Sequence, residues 1–253
     1  MRLFHRSSKD NDSMENGVQL ITVADPQSAI AEQFRTIKTN IRFMGVDHKI
    51  DTLAFTSGNV SEGKSTVTDN TAISLAEDGK KVLLIDADLR RPTLHRTFRV
   101  SNNFGLTTVL TSDAKELKLD EVVRDSGIDN LSILTAGPTP PNPSELLGSK
   151  KMVEFINLVS KYYDKVVIDL APVLEISETA ALASHLDGVI LVVRQGVTCK
   201  PNIARTVERL KFAKANLLGY VMNDIKASNG GYGYGYGYGY GYGKSKKKKK
   251  GKK

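Results

Sequence analysis

Apolar residues recur along this chain in two rhythms. Within residues 25–44, Ile30, Phe34, Ile37 and Ile41 are spaced by three and four, the apolar stripe of a helix. Short β-rich runs follow at Thr52–Thr56, Val82–Asp86, Leu131–Thr135, Val166–Asp169, Val189–Val193 and Leu218–Met222. Helical patterns lie between them at Lys64–Glu77, Ser144–Tyr162, Glu178–Ala183 and Pro201–Ala213. Nearly continuous apolar strands alternating with helices predict an α/β fold, a mostly parallel sheet with helices on both faces.

The two ends follow neither rhythm. Residues 1–20 are polar and aperiodic, and read as a mobile arm. From residue 228 the composition changes. Glycine alternates with Tyr232, Tyr234, Tyr236, Tyr238, Tyr240 and Tyr242, and a lysine run follows. Glycine at every second position raises the entropy cost of ordering and removes one packing face, so a disordered tail is expected over 228–253. The folded domain is then 21–227.

Charge sharpens this division. The 253 residues carry 36 Lys and Arg against 28 Asp and Glu, a net charge of +8. Eight of the positive charges are Lys244, Lys246–Lys250, Lys252 and Lys253, so 28 basic and 28 acidic residues remain elsewhere. A neutral body argues against a nucleic-acid partner, which would select a basic folded face. Cys199 is the only cysteine, so an intrachain disulfide is excluded and a reducing compartment is expected. No apolar run reaches the roughly 18 residues of a membrane span, and no secretory signal is visible. A soluble, cytoplasmic chain is expected. His5, His48, His95 and His185 lack metal-ligand spacing and read as surface or loop residues; Cys199 reads as a small packing residue.

The chemistry is concentrated in one loop. Gly58-Asn59-Val60-Ser61-Glu62-Gly63-Lys64-Ser65 fits GxxxxGK[ST] between a strand and a helix, the context a P-loop needs. Gly58 and Gly63 let the backbone curl so that N–H groups meet phosphate oxygens. Glu62, Lys64, Ser65 and Thr66 complete the nucleotide-binding stretch. Lys64 places a cation near the β and γ phosphates, the Ser65 hydroxyl suits Mg²⁺, and the helix N-terminus favours the anion. A P-loop also needs a carboxylate at a neighbouring strand end. Ile85-Asp86-Ala87-Asp88 and Ile168-Asp169-Leu170 both provide one. Each Asp could also be a helix cap or turn former.

These three segments resemble the Walker A, Walker A′ and Walker B motifs of the bacterial tyrosine kinases of capsule and exopolysaccharide systems. Asp86-x-Asp88-x-Arg90 is the most telling. Glu32-x-x-Arg35-x-x-Lys38 resembles the family's Glu-x-x-Arg-x-x-Arg oligomerisation motif, and Gly137-Pro138 and Pro141–Leu147 resemble a family stretch. The terminal tyrosine cluster is also typical. The resemblance covers roughly residues 20–243. Walker B departs from the family's Asp-[Ser/Thr]-Pro-Pro, reading Asp169-Leu170-Ala171-Pro172. Lys38 stands for the second arginine, and Ser61 for the usual loop proline.

The resemblance implies a P-loop NTPase-like kinase that uses ATP and Mg²⁺ to phosphorylate its own tail in trans and so regulates polysaccharide synthesis and export. By this likeness Lys64 holds MgATP, Ser65, Asp88 and Asp169 position the metal, and Asp86 is the base. Arg90 and Arg91 would contact phosphate or a neighbouring subunit, and Asn223 the adenine edge. Glu32, Arg35 and Lys38 would lie at the interface of a ring. The implied partners are a membrane adaptor of the polysaccharide co-polymerase type and a cognate tyrosine phosphatase. The lysine run would meet an anionic membrane surface. Two alternatives stay open: a ParA/MinD-like ATPase, whose signature lysine is replaced by Asn59, and a nucleotide-gated scaffold without catalysis.

Overall fold

The computed structural model describes residues 12–46, 49–112 and 119–225. The chain begins with α1 (Asp12–Asn16), α2 (Ile21–Ala24) and the longer α3 (Ala29–Met44). Next come β1 (Thr52–Ser57), α4 (Lys64–Ala76), β2 (Val82–Ala87), α5 (Leu94–Thr97), α6 (Leu106–Thr111) and α7 (Leu119–Val122). Then follow β3 (Arg124–Ile128), β4 (Leu131–Leu134), α8 (Pro143–Leu147), α9 (Lys150–Val159) and β5 (Lys165–Leu170). The last are α10 (Ser177–Ala183), β6 (Gly188–Arg194), α11 (Lys200–Phe212) and β7 (Leu217–Asn223).

The strands form one sheet in the order β3-β4-β2-β5-β1-β6-β7. Every neighbouring pair is parallel except β3–β4. The central strands β1, β2, β5 and β6 are buried almost throughout, because helices cover both faces. Alternation within a strand divides the core in two. Leu83, Ile85, Ile168 and Leu170 join Leu106, Met152, Ala180 and Leu210 on one face. Leu53, Phe55, Leu84 and Val192 join Phe34, Ile41, Val67 and Ile73 of α3 and α4 on the other. Fully burying each such side chain is worth about 1.5–3 kcal/mol.

Helix α4 is buried along its length apart from Thr66, although it carries many polar residues. It lies between the sheet and α3. The Thr68 and Thr71 hydroxyls donate to the carbonyls of Lys64 and Val67, at 2.7 Å each, which removes the cost of burying them.

Several elements differ from the sequence reading. The predicted helix over Ser144–Tyr162 is two helices. Gly148 ends α8, and Ser149 starts α9 by accepting the Met152 N–H at 3.2 Å. Strand β3 is a polar edge strand with no apolar run to reveal it. On α3 the inward residues are Ala31, Phe34, Lys38 and Ile41, whereas Ile30 is 58% exposed. Lys38 takes the inward place because its ammonium meets Asp78 at 2.8 Å, just beyond α4. Cys199 is exposed at the start of α11 rather than packed.

Part of the expected arm is fastened down. The Val18 N–H donates to Thr97 Oγ1 at 3.0 Å, and Asn70 Nδ2 donates to the Gln19 carbonyl at 2.9 Å. The expected disordered tail lies outside the described residues, as do His5 and His48.

Candidate active site

The P-loop leaves β1 at Ser57 and enters α4 at Lys64. Two of its residues have left-handed backbone, Ser61 at φ +60° and Gly63 at φ +86°. Gly63 has a steric reason as well: a Cβ there would lie 1.9 Å from Asn223 Nδ2. Ser61 corrects the sequence reading. Proline is locked near −65° and cannot adopt this conformation, so the family's loop proline has no counterpart at Ser61.

The loop is braced from inside by Glu62, which is 2% exposed. Its Oε2 accepts the N–H groups of Gly58 and Asn59 at 2.9 and 3.3 Å, and its Oε1 accepts the Thr198 hydroxyl at 2.8 Å. The Glu62 side chain therefore shapes the loop, leaving only its backbone to serve a phosphate. Asn223 also acts as a brace. Its Nδ2 donates to the Glu62 carbonyl at 3.1 Å. Arg194 donates to the Ser61 carbonyl at 2.9 Å.

Sheet register assembles the acids. Asp86 at the end of β2 is opposite Asp169 at the end of β5. The Lys64 ammonium stands between carboxylates, 3.0 Å from Asp88 Oδ2 and 3.1 Å from both Asp169 oxygens. The Ser65 hydroxyl donates to Asp169 Oδ2 at 2.5 Å. Both metal-carboxylate alternatives left open by the sequence thus converge on one lysine.

The environment separates the charges. Burial works against the Lys64 cation, but Asp169, Asp88 and Asp86 outweigh it and hold the group well above its usual range. Burial also works against the Asp88 anion, but Lys64 and the N–H groups of Arg91 and Arg90 keep Asp88 below the ordinary carboxylate range. Asp169 is raised by burial, with Lys64 and Ser65 opposing. Asp86 is raised to about 7, chiefly by burial and then by Asp169. Its orientation is fixed by three backbone donors: Asp88 N–H at 3.2 Å, and Thr93 and Leu94 N–H at 3.0 Å each.

Sequence reasoning missed Asp69. It lies on α4, 1% exposed, and neither carboxylate oxygen has a well-formed hydrogen bond, with the Thr97 hydroxyl and Lys64 giving only partial support to its charge. Burial, then Asp169 and Asp86, push it well above the ordinary carboxylate range. Its position five residues after Lys64 was the available signal, but only tertiary packing shows that it is buried.

The cleft beside this cluster measures about 360 Å³ and is lined by Ser61, Gly63–Thr66, Asp88, Arg91 and Arg194. It suits a polyphosphate, with backbone amides at a helix start and three cations. Ser65 Oγ, Asp88 and Asp169 all lie within 3.3 Å of Lys64 Nζ. They are hard oxygen donors of the kind Mg²⁺ takes alongside phosphate and water, so the residues fit that ion. Arg90 is exposed beyond the cleft. Leu170, where the family has a hydroxyl residue, is fully buried in the core with Ile168, and the Ala171 carbonyl accepts the Thr56 hydroxyl at 2.8 Å. The departure in Walker B is therefore absorbed by packing.

Of the expected oligomer residues, Lys38 faces Asp78 of its own chain. Arg35 contacts Glu32 at 2.9 Å and the Pro26 carbonyl at 2.7 Å. The six tail tyrosines lie outside the described residues.

Comparison with known proteins identifies the family. The AAA domain family matches residues 48–218. Tyrosine-protein kinase YwqD of Bacillus subtilis (strain 168) is 43% identical over 209 residues, 83% of this chain and 87% of that protein. Putative tyrosine-protein kinase CapB of Staphylococcus aureus is 35% identical over 198 residues, covering 78% and 86%. Among solved structures, the kinase domain of Escherichia coli tyrosine kinase ETK superposes with TM-score 0.78 at 32% identity, covering 87% and 86% of the chains. The chimerical protein CapA2B2 gives TM-score 0.77 at 31% identity, covering 87% and 99%. MinD of Pyrococcus horikoshii shares the fold at TM-score 0.56 and 27% identity, over 68% and 70%. With its Walker-type lysine and acids assembled at one strand-end cluster, the chain belongs to the bacterial tyrosine-protein kinases.

Proposed function

We propose that this kinase phosphorylates its own C-terminal tyrosines, Tyr232, Tyr234, Tyr236, Tyr238, Tyr240 and Tyr242, each subunit of a ring acting on a neighbour's tail. The observation that carries this reading is the placement of Asp86. It is a buried carboxylate raised to about 7, held by three backbone amides directly behind Asp88 and Thr93, which line the cleft. Unperturbed tyrosine ionises near pH 10, so a base poised near neutrality is matched to the task. Asp86 takes the phenolic proton. The tyrosine oxygen bonds to the γ phosphorus of ATP, and the bond from that phosphorus to the β–γ bridging oxygen breaks, releasing ADP. Mg²⁺, when bound, neutralises charge on the phosphates. Lys64 and the loop amides orient the γ-phosphoryl group, and most of the rate gain comes from this positioning.

The likeness to capsule-associated relatives supports a role in regulating capsule or exopolysaccharide synthesis and export. Among the described residues no helix is long and apolar enough to cross a membrane. A separate membrane adaptor would recruit the kinase from the cytoplasm to the membrane and activate it. A cognate phosphatase would reset the tail. About four or five phosphotyrosines would cancel the eight terminal lysine charges, making the tail an electrostatic switch at an anionic surface.

The test is incubation of purified chain with MgATP and phosphotyrosine mapping by mass spectrometry. The tail is expected to be labelled, and Lys64→Met or Asp86→Ala to abolish labelling. Tail phosphorylation that persists in Lys64→Met would overturn the site assignment. Nucleotide binding without phosphotyrosine would select the scaffold reading.

A further inference from the structure

The cleft has a wall that none of the Walker-type motifs supplies. Ser13, Met14, Gly17, Val18 and Gln19 line it together with the P-loop residues Gly63–Thr66. Two anchors hold this wall. One is Asn70 on α4, whose Nδ2 donates to the Gln19 carbonyl at 2.9 Å and whose Oδ1 accepts the Thr22 N–H and hydroxyl at 3.1 and 3.0 Å. The other is Thr97 on α5, whose Oγ1 accepts the Val18 N–H at 3.0 Å and donates to the Thr93 carbonyl at 3.0 Å.

The second anchor depends on a glycine. Gly17 sits at φ +76°, and a Cβ there would lie 2.4 Å from Thr97 N and 2.5 Å from Thr97 Cα. Those are backbone atoms and cannot swing aside, so the segment rests directly on α5 only because residue 17 has no side chain. The contact leads into the chemistry. Thr93, whose carbonyl takes the Thr97 hydroxyl, gives its own N–H to Asp86 at 3.0 Å. The wall, its anchor and the carboxylate are one hydrogen-bonded series: Val18, Thr97, Thr93, Asp86.

We propose that residues Ser13–Gln19 are a nucleotide-binding element of this kinase, and that Thr97 is the positioning residue that locks them over the P-loop. The proposal rests on the cleft being the nucleotide site. By narrowing the cleft beside Thr66, the wall removes water from bound phosphates and strengthens their contacts with Lys64 and the loop amides. A segment outside the P-loop motif thus sets the affinity for the nucleotide.

Calorimetric titration of the full chain with MgADP tests this, using the parent, Gly17→Val, Thr97→Val and Thr97→Ser. Circular dichroism verifies that each variant is folded. Thr97→Val is expected to weaken binding about fivefold, the value of one hydrogen bond, and Gly17→Val at least as much. Thr97→Ser retains the hydroxyl and is expected to bind like the parent. If Gly17→Val does not fold, the Thr97 pair decides. A parent that binds MgADP while a folded Thr97→Val binds equally well overturns the proposal. So does a Thr97→Ser as weak as Thr97→Val. A parent that fails to bind MgADP overturns the nucleotide site itself.

Discussion

Asp86 and Asp169 are register partners on adjacent parallel strands, both fully enclosed at the mouth of the P-loop. Two like charges brought this close in a poorly solvated site resist joint ionisation. Asp169 meets Lys64 and Ser65 directly, while Asp86 is hydrogen-bonded by backbone amides and feels the Lys64 charge without contact. The proton is therefore retained more readily on Asp86, the group proposed as base.

A pH profile follows. Asp86 must be deprotonated to accept the tyrosine proton, and its value is raised from 3.8 to about 7. The rate at low substrate is expected to fall on the acid side with an apparent pKa near 7, reaching a plateau above it. Stopped-time phosphotyrosine assays across this range check it. Full activity at pH 5 would exclude Asp86 as the base. The stability sign is opposite to that of an ion-paired carboxylate: because the folded value is raised, this group's contribution to stability declines as pH rises from about 4 to about 7.

Lys64→Met should do more than silence the enzyme. The lysine neutralises Asp88 and Asp169 in a buried setting. Removing one partner from such a cluster costs about 3–5 kcal/mol when the remaining charges persist. The carboxylates can instead take up protons in the folded state, so the loss should be smaller at pH 5 than at pH 8. Urea unfolding at the two values measures the difference. An equal loss at both would show that the cluster does not depend on the lysine charge.

Asp69→Ala is expected to stabilise the fold. Both oxygens are buried without a well-formed hydrogen bond, an arrangement that costs about 1–3 kcal/mol, whereas the small void left by the substitution costs about 1 kcal/mol. The native carboxyl is raised, so it binds a proton that the unfolded chain releases, and its penalty grows with pH. The variant's advantage should therefore be larger at pH 8 than at pH 5 in thermal or urea unfolding. A variant less stable than the parent at pH 8 would mean that packing outweighs desolvation there.

Gly63→Ala should destroy nucleotide binding. The new methyl would sit 1.9 Å from Asn223 Nδ2, at a φ of +86° that costs alanine about 1 kcal/mol. Pairing it with Asn223→Ala removes the clash but not the strained backbone. MgADP titration is expected to show no binding for the single variant and partial recovery for the double. Equal defects in both would assign the loss to backbone strain alone.

Much of the fold could be read locally. The runs at Val82–Asp86 and Val166–Asp169 lie within observed strands, since strands buried on both faces need apolar residues at every position. Strand β3 was not legible because an edge strand can be polar, and the α8–α9 break is marked only by Gly148 and Ser149, a local stop and cap within an otherwise helical stretch. The GxxxxGK[ST] spacing located the loop for a similar reason: it encodes backbone conformations and a helix start, both local properties.

Local residue order supplies the inventory: a phosphate loop, two strand-end acid motifs and a neutral body joined to a basic tyrosine tail. Tertiary structure decided how the groups are used. The pairing of β2 with β5 set Asp86 against Asp169, and Lys64 was drawn between Asp88 and Asp169. Glu62 and Asn223 turned inward to brace the loop, Lys38 turned inward to Asp78, and the polar N-terminal segment became a wall of the cleft. The physical reason is common to all of these. A side chain's charge state and partners depend on what surrounds it in three dimensions, and residues separated by tens of positions become neighbours only once the sheet has formed.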